Sequence, residues 1–509
     1  GQSTFNKRMY FGQPFAILTS VLPTDSCYYA TGVITDTTNS AYKLGNIFVK
    51  FDLNGDTVFT KKLLSPHKYY ETWRGDLINT PDGALADVGI TTDTALKAIL
   101  IKYNLNGDTI FTREYFNPYF PQESFIATVA FASLPENGFY FVCGIDPSID
   151  DSEGDIMVLK LDSVGNVLQE KVYGNSTTEI GGALIVEDDR GVIIGACRTN
   201  TNQVLNNFFR RTYIFKTDSL GNVVWEFLSS PPNFIQDTAR GMVKSTDGGL
   251  VVGTSRGFED PVNAEVGIIV WESAYFFKLD ENQEVVWELE VFDSISASPG
   301  NSLDRLIAVD SGMAYVAAGD FIFIKSLDPP DGGRYGWVMK VSDEGNLLWI
   351  RKYNIAESVG HSHQIYDLKQ TPDGGFILVG KAVGAAPVGE PSGQAWLLKL
   401  DSCGCHIPGC QWQDTVTVVR QPEEASVGLA IHPNPTRDYL NFQLRTPRYI
   451  PSAAFRILNT EGRVMKEFKS DYVKDTFIVP VWDWPAGVYF LQVEAGGHVL
   501  KTEKFVVQK

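Results

Sequence analysis

The sequence has no long hydrophobic run, and it is poor in cysteine, methionine and positive charge. Its 509 residues include six Cys, six Met and six His. No apolar stretch approaches the ~20 residues that a membrane-spanning helix needs, which excludes a transmembrane segment of that kind. The sequence has 43 Lys and Arg but 61 Asp and Glu, which gives a formal net charge of −18. This charge disfavours nucleic acid and anionic membrane as partners, because both are themselves negative.

Glycine, proline and aromatic residues are plentiful, and a phrase that contains them recurs. The 46 Gly, 25 Pro and 12% aromatic content favour a turn-rich all-β protein. The phrase reads apolar-Lys-apolar-Asp-x-x-Gly, followed by apolar residues that end on Trp or Phe. The Lys residues of its seven copies are Lys50, Lys102, Lys160, Lys216, Lys278, Lys340 and Lys399. A second phrase, a Gly-containing turn followed by apolar residues and Gly, precedes each copy, as at Asp247–Gly253.

Each repeat therefore predicts four short antiparallel strands, and seven such repeats predict a seven-bladed β-propeller. A β-solenoid is the alternative, although its coils are usually shorter than this repeat. The seventh repeat breaks into a cysteine-rich segment at Cys403–Cys410 before its fourth strand. The N-terminal residues Phe5–Gly12 resemble the fourth strand of another repeat. We expect them to complete the last blade, which would leave no open edge.

A different pattern follows the repeats. Residues 1–410 form the predicted propeller, 411–426 read as a linker, and 427–509 contain short alternating strands with turns at Glu461-Gly462 and Gly496-Gly497. About 80 residues with this spacing predict a small immunoglobulin-like β-sandwich. The whole chain is thus predicted to be all-β.

The C-terminal segment also contains an ordered set of motifs. They are His432-Pro433-Asn434-Pro435, Asp438-Tyr439-Leu440, Glu461-Gly462-Arg463-Val464, Pro485-Ala486-Gly487-Val488-Tyr489-Phe490 and Lys504-Phe505-Val506-Val507. In this order they resemble the type A sorting domain of the type IX secretion system of Bacteroidota, with His432 in place of the usual Tyr. The alternative is a generic sandwich whose Pro-x-Pro segment blocks edge pairing. Gly487 lies in a predicted turn and is expected to need a positive φ.

The resemblance implies an export route. The protein would enter the periplasm behind a signal peptide that is already absent from Gly1. The outer-membrane translocon and its sorting machinery would then be its partners. In this family the sorting domain is commonly cleaved, and the passenger is released or attached to surface glycolipid.

The six cysteines fit an exported protein, in which disulfides can persist. We predict a Cys405–Cys410 bridge and a possible Cys27–Cys403 bridge, whereas Cys143 and Cys197 fall within apolar strands and should be buried thiols. A zinc site made by Cys403, Cys405, Cys410 and His406 is the alternative, but the span is tight for tetrahedral geometry.

Asp followed by Thr or Ser and an apolar residue resembles the O-glycosylation motif of exported Bacteroidota proteins. The candidate acceptors are Thr57, Thr109, Ser163, Ser219 and Thr415. Ordinary turn chemistry also explains Asp before Ser or Thr, and it stays as the alternative.

The predicted topology places tight turns on one face of the propeller and long loops on the other. Function is expected on the long-loop face. Its candidate ligand-binding residues are Tyr69, Tyr70, Tyr119, Phe120, Phe208, Phe209, Phe234, Trp271, His361 and His363. Exposed aromatic rings suit sugar or protein contacts, but the same residues could simply pack the loops onto the blades. His361 and His363 could also hold a metal ion, or be solvated.

The sequence predicts no cofactor, and Ca²⁺ is the one weak candidate. The acidic loop with Asp146, Asp150, Asp151, Glu153 and Asp155 could hold Ca²⁺, but its spacing matches no standard calcium loop and favours a solvated acidic loop. The sequence favours a non-enzymatic protein that binds a glycan or a surface protein. A polysaccharide lyase or glycoside hydrolase on the same scaffold, and a structural subunit of an extracellular assembly, remain as alternatives.

Overall fold

The computed structural model describes most of the chain. The described residues are 2–36, 43–65, 67–72, 76–93, 95–118, 126–145, 154–174, 179–202, 207–229, 236–259, 269–291, 300–327, 330–355, 361–384, 391, 393–407, 410, 428–445, 453–470, 476–495 and 498–509. The chain divides into two compact parts, Gly1–Val419 and Arg420–Lys509. The predicted linker at 411–426 lies outside the described residues.

The first part contains β1 (Phe5–Met9) and seven antiparallel units, numbered here in chain order. Units one to three are β2 (Ala16–Pro23), β3 (Tyr28–Asp36), β4 (Lys43–Phe51), β5 (Thr57–Leu63); β6 (Tyr69–Glu71), β7 (Ile78–Asn79), β8 (Leu85–Thr92), β9 (Leu96–Tyr103), β10 (Thr109–Tyr115); and β11 (Ile126–Ser133), β12 (Phe139–Ile145), β13 (Asp155–Leu161), β14 (Val167–Tyr173). Units four and five are β15 (Glu179–Val186), β16 (Val192–Asn202), β17 (Asn207–Thr217), β18 (Val223–Leu228); and β19 (Gln236–Lys244), β20 (Leu250–Glu259), β21 (Ile269–Leu279), β22 (Val285–Val291). Units six and seven are β23 (Gly300–Val309), a 3-10 helix (Asp310–Gly312), β24 (Ala314–Leu327), β25 (Pro330–Ser342), β26 (Leu347–Tyr353); and β27 (Ser362–Gln370), β28 (Phe376–Val383), β29 (Gly393–Leu400).

Consecutive strands within the units pair antiparallel, except that β6 and β7 both pair with β8, and the seventh unit is completed from the other end of the chain. Strand β1 pairs with β29, with Phe5 opposite Lys399 and Met9 opposite Ala395. The prediction that the N-terminus supplies this strand is therefore confirmed. Small antiparallel sheets that succeed one another in this way, with the chain ends sharing one sheet, make the first part a β-propeller.

The recurring Asp explains the hairpin between the third and fourth strands. Asp52 Oδ1 accepts the N–H groups of Asn54 and Asp56 at 2.9 and 2.8 Å. Asp162, Asp218, Asp280 and Asp401 cap their hairpins in the same way. The carboxylate thus satisfies two backbone donors that would otherwise lack partners within the turn.

The recurring Lys joins this hairpin strand to the Gly turn between the first two strands of its unit. Lys278, which is almost fully buried, lies 2.8 Å from Asp247, and Lys102 lies 2.6 Å from Asp82. The hydrogen bond from Lys278 holds the pKa of Asp247 at about 2. In these units each of the two repeated phrases supplies half of an ion pair.

The second part contains two antiparallel sheets. Its strands are β30 (Gly428–His432), β31 (Tyr439–Arg445), β32 (Ala453–Asn459), β33 (Val464–Ser470), β34 (Thr476–Pro480), β35 (Gly487–Ala495) and β36 (His498–Val507). One sheet has the order β30-β31-β34 and the other β33-β32-β35-β36. Phe442, Phe455, Leu491 and Phe505 lie in its core and are 0% exposed. The short strands that the sequence predicts within residues 427–509 are therefore present.

Two glycines of this part differ from expectation. Gly462 has φ +77° in the hairpin that Asn459 caps. Gly487 opens β35 and is not among the residues with positive φ, and a Cβ there would meet only a Tyr489 ring atom at 3.9 Å. The prediction that Gly487 needs a positive φ is wrong, because the strand begins at this residue.

Candidate functional site

The histidine pair lies at the long-loop end of the seventh unit. His363 is in β27 and His361 directly precedes this strand, and they are 2% and 5% exposed. The pair is therefore buried and not solvated. The His361 ring lies 4.8 Å from the Tyr335 ring, and the His363 ring lies 5.4 Å from the Trp396 ring, between centroids. Gly333 makes room, since a Cβ at this position would come within 2.6 Å of the His361 ring.

His363 is a neutral imidazole at physiological pH. The backbone N–H of Ile355 donates to its Nε2 at 3.2 Å. Burial, together with the nearby His361 and Arg8, lowers the pKa of His363 to about 4, against the effect of a hydrogen bond with the Arg334 backbone. A neutral ring keeps one nitrogen as an acceptor, which the Ile355 N–H occupies.

Cationic side chains lie at the same end of the sheet, on both of its faces. Arg8 donates to the carbonyl oxygens of Gly384 and Pro391 at 3.2 and 2.7 Å. Arg334 forms an ion pair of 3.1 Å with Asp320. Lys381 precedes Ala382 on β28 and therefore lies on the opposite face from His363, where its Nζ is 5.7 Å from the centroid of the Phe15 ring. No carboxylate of the described residues lies within ion-pair distance of Lys381, and burial, followed by the charge of Arg334, lowers its pKa.

A buried amide adjoins this cluster. Gln394 on β29 lies opposite Ala382, which in turn lies opposite His363, so that the three side chains share one face of the sheet. Gln394 is 0% exposed, and no described group donates a hydrogen bond to its Oε1. An unsatisfied buried acceptor of this kind is typical of a site that takes up a donor from water or a ligand.

Arginines also gather at the same end of the fourth and fifth units. Arg198 and Arg211 lie directly opposite each other on β16 and β17, an arrangement that like charges disfavour. Burial and then the charge of Arg198 lower the pKa of Arg211. Arg198 stacks on the Tyr213 ring at 3.7 Å and Arg256 on the Tyr275 ring at 3.0 Å.

The inner strands carry a charged contact near the propeller axis. Arg305 on β23 lies 2.9 Å from Asp76 of the second unit and 3.1 Å from Asp367 on β27. Asp367 is 0% exposed and also accepts hydrogen bonds from Ser20 Oγ and the Val21 N–H. The axis is therefore bridged by side chains of non-adjacent units at this level.

The structure locates part of the predicted aromatic set. Tyr69 and Tyr70 lie half-buried in β6. Phe208 and Phe209 lie in β17 and Trp271 in β21, where only the backbone is described. Tyr119, Phe120 and Phe234 lie outside the described residues. Sequence reasoning missed Arg8, Arg334, Lys381 and Gln394, because they come from different strands and no local spacing connects them.

The metal hypotheses find no support among the described residues, where no group of three His, Cys, Asp or Glu side chains could hold an ion. Asp155 is buried at the start of β13. Asp146, Asp150, Asp151 and Glu153 lie outside the described residues. Cys405 and Cys410 are joined in a disulfide, so they are not available as zinc thiolates.

The cysteine predictions divide into one that is confirmed and one that is wrong. Cys405 and Cys410 form the predicted bridge, with Cα atoms 5.4 Å apart. Cys27 and Cys403 are both free thiols and form no bridge. Cys27 is buried beside Thr24 Oγ1, at 3.2 Å, whereas Cys403 is exposed in the hairpin that Asp401 caps.

The candidate O-glycan acceptors differ in accessibility. Thr57 and Thr109 are exposed at the first residues of β5 and β10. Ser163 and Ser219 are partly exposed within their hairpins, and Thr415 lies outside the described residues. Glycosylation at any of them stays a prediction.

Several of the C-terminal motif residues are hydrogen-bonded to one another. Asn434 Oδ1 accepts the Val506 N–H at 3.0 Å, and Asn434 Nδ2 donates to the Lys504 carbonyl at 3.2 Å. The Tyr489 hydroxyl donates to the Pro485 carbonyl at 2.8 Å. Residues 430–508 match the family model described as the secretion system C-terminal sorting domain. The chain carries a type IX sorting domain. The protein is accordingly exported, and is secreted or attached to the cell surface.

Comparisons of the whole chain are less specific. A search of curated proteins finds no match. A protein of unknown function from Bacteroides caccae is similar at 10% identity, covering 60% of this chain and 87% of that one, with a TM-score of 0.34. A polysaccharide lyase described as a family PL25 ulvan lyase is 6% identical over 78% of this chain and 96% of its own, with a TM-score of 0.48. An α-L-arabinanase from Penicillium chrysogenum is 13% identical over 67% and 94%, with a TM-score of 0.40.

These scores are too low to carry a functional argument. Among the described residues, no helix is long and apolar enough to cross a membrane.

Proposed function

We propose that this exported protein is a seven-bladed β-propeller that binds an acidic glycan at the long-loop end of its sixth and seventh units. The seven antiparallel units would be the blades of one ring. Contacts between first strands support this count, since β23 meets β27 and β27 meets β2. The proposed boundaries are 1–410 for the propeller, 411–426 for the linker and 427–509 for an immunoglobulin-like sorting domain.

The observation that carries the proposed ligand is the charge of Lys381, for which the described residues provide no carboxylate partner. The chain has a net charge of −18, yet this half-buried ammonium group lies near Arg334 with no described carboxylate beside it. A buried cation without an anionic partner is costly, and an incoming carboxylate or sulfate group would supply that partner. Gln394 Oε1 would accept a sugar hydroxyl, because it has no described donor.

Aromatic rings lie on the same face of the sheet as Gln394, opposite to Lys381, and they suit a sugar better than an inorganic anion. Tyr335, His361 and Trp396 present ring faces and edges within the same cluster. Sites for small ligands typically combine such apolar walls with a few placed polar groups. The ligand class that fits this combination is a uronate or a sulfated sugar within a polysaccharide.

An enzyme that acts on the same glycans is the second candidate. The contact between Tyr335 and His361 supports it, because elimination of a uronate needs a proton acceptor, a proton donor and a cation that neutralises the carboxylate. The 5% exposure of His361 favours binding over turnover. A structural role in an extracellular assembly is the third reading.

The test is a titration of the purified protein with polyuronate, sulfated polysaccharide and neutral polysaccharide at several salt concentrations. We expect binding of the charged polymers that weakens as salt rises. Lys381→Gln should weaken it about ten-fold, equivalent to ~1.4 kcal/mol. Lys340→Gln, which removes a Lys of the tight-turn face paired with Asp310, is the matched control and should bind normally.

Equal binding by wild type and Lys381→Gln would contradict the proposal that Lys381 belongs to the glycan-binding site. Preference for neutral polymers would contradict the ligand class. Ultraviolet absorbance of an unsaturated sugar product in the same samples would favour the lyase, and absence of both binding and turnover would favour the structural role.

A further inference from the structure

The hairpin turns of the propeller pack closely against the preceding unit. In six of the seven units the turn between the third and fourth strands has a Gly with positive φ, and in three of them the ring of Phe5, Trp287 or Trp349 from the preceding fourth strand lies against it. A Cβ on Gly345 would lie 2.6 Å from the Trp287 ring, and a Cβ on Gly404 would lie 2.7 Å from the Trp349 ring. Such a contact is possible only because glycine has no side chain.

The fifth unit breaks this rule. Its hairpin has Gln283 where the other units have glycine, at φ 64°. The fourth strand of the preceding unit nevertheless offers the usual aromatic ring, because Trp225 lies opposite the repeated Lys216 as Trp287 lies opposite Lys278. A side chain therefore stands at the turn position that glycine leaves empty beside Trp287 and Trp349, and Gln283 and Trp225 both line a cleft there.

A cleft results between the fourth and fifth units, on the tight-turn face. Its volume is about 130 Å³, well above the ~10–15 Å³ that one water molecule requires. The walls include Trp225, Gln283, Glu187, Lys216, Lys244 and Glu281. The apolar floor comes from Ile193, Leu250 and Leu279, which are at most 5% exposed.

The polar groups of the cleft are held in place. Glu187 lies 3.0 Å from Lys216 and 2.5 Å from Lys244, so both lysines are neutralised by one carboxylate. Asp280 also lines the cleft, and its Oδ1 is occupied by the hairpin N–H groups. Three carboxylates against two ammonium groups give a formal charge of −1, which disfavours an anionic ligand.

We propose that this cleft binds a single neutral pyranose residue, at a site separate from the long-loop end. The ring of Trp225 would supply the apolar platform, and Gln283, Glu187 and Lys244 would exchange hydrogen bonds with the sugar hydroxyls. The small volume restricts the cleft to one sugar residue. The cleft is present because Gln283 replaces the turn glycine of the other units. A glycine at this position would allow the fourth and fifth units to pack directly against each other.

Saturation-transfer NMR on the full chain, with methyl glycosides of glucose, galactose and mannose at millimolar concentration, tests the proposal. We expect transfer to at least one glycoside. Trp225→Ala should raise the Kd at least ten-fold. Gln283→Gly should also raise the Kd at least ten-fold, because Trp225 can then pack onto the turn and close the cleft. It should also reduce quenching of tryptophan fluorescence by acrylamide.

Two controls separate this site from other surfaces. Trp287→Ala removes the equivalent ring of the next unit, where glycine already closes the cleft, and should keep the signal. Lys381→Gln should also keep it, because that residue lies at the opposite face. No transfer to any of the three glycosides, or equal transfer in Trp225→Ala and the wild type, overturns the proposal.

Discussion

The guanidinium group of Arg305 lies 2.9 Å from the carboxylate of Asp76, although the two residues belong to the sixth and second units. Arg305 also reaches Asp367 in the seventh unit, at 3.1 Å. One side chain thus connects three units near the propeller axis. Units of this kind otherwise contact only their neighbours, so this contact adds a connection that the repeat itself does not provide.

Replacement of Arg305 by Gln should destabilise the propeller by about 3 kcal/mol, because Asp367 is fully buried and would lose the closer of two cationic partners, the other being Lys369 at 3.4 Å. Urea unfolding followed by tryptophan fluorescence measures this. Lys61→Gln is the matched control, since it removes an exposed inter-unit pair with Asp108 and should cost less than ~1 kcal/mol. Equal effects of the two replacements would show that Arg305 is no more than a surface charge.

Stability should depend on pH through Asp87. This 0% exposed residue occupies a β8 position that the other units fill with Ala30, Phe141, Ile194, Val252, Ala317 and Leu378. Burial raises the pKa of Asp87 to about 7, and the charges of Asp76 and Asp367 add to this against hydrogen bonds from Thr31 and Val88.

Between pH ~4 and ~7 the folded state therefore holds a proton that the unfolded chain releases, and the free energy of unfolding must fall as pH rises through this window. Asp87→Asn keeps the acceptor for the Val88 N–H and should lose this dependence. Parallel urea titrations at pH 5 and 7.5 check the prediction. The prediction is contradicted if the difference in the free energy of unfolding between wild type and variant is the same at both pH values.

Replacement of turn glycines by alanine should separate backbone strain from packing. Gly83 and Gly345 have φ +80° and +83°, but a Cβ on Gly83 would have no neighbour within 4 Å, whereas one on Gly345 would collide with Trp287. Gly83→Ala should therefore cost only the ~1–2 kcal/mol of the left-handed conformation. Gly345→Ala should cost a further ~1–3 kcal/mol for overpacking. Thermal unfolding compares them, and equal losses would contradict the contact between units.

Cysteine reactivity should follow burial. Alkylation of the native protein should modify Cys403, which is exposed, and spare Cys27, Cys143 and Cys197, which are at most 4% exposed. Burial also raises the pKa of the Cys143 thiol, which removes the reactive thiolate. Non-reducing peptide mapping should recover the Cys405–Cys410 peptide. A Cys27–Cys403 peptide in the same map would contradict the structure.

Export should require the second part of the chain. A protein that ends near Arg420 should fold and remain in the periplasm of its native host, whereas residues 427–509 should carry a periplasmic reporter to the surface or medium. Gly462→Val should impair this transport, because φ is +77° at that residue. Gly487→Val is the control and should be tolerated, since its backbone is extended. Cell fractionation gives the answer, and surface delivery of the truncated protein would contradict the sorting assignment.

The repeated elements could be predicted from sequence because each is determined locally. Asp52 and its equivalents cap hairpins within five residues, and Lys278 meets Asp247 within one unit. The shared unit of β1 and β29 was also predictable, since the seventh repeat lacked a strand and the N-terminus had one to spare. The Cys405–Cys410 bridge follows from the same local logic.

The candidate site could not be found in this way. Arg8, Arg334, Lys381 and Gln394 lie on β1, β25, β28 and β29, and only the pairing of those strands brings them to one end of the propeller. The sequence showed His361 and His363 but not that they are buried, because burial depends on Tyr335 and Trp396 from neighbouring strands.

The sequence by itself determined the four-stranded repeat, the strand shared by the chain ends, the local disulfide and the sorting domain, since short-range hydrogen bonds, ion pairs and motif order carry all of them. Only the tertiary structure decided which charges lack partners, which thiols stay apart, and where Gln283 opens a cleft beside Trp225. Those properties depend on the distances between units, and a distance between units is fixed by the packing of side chains far apart in the chain.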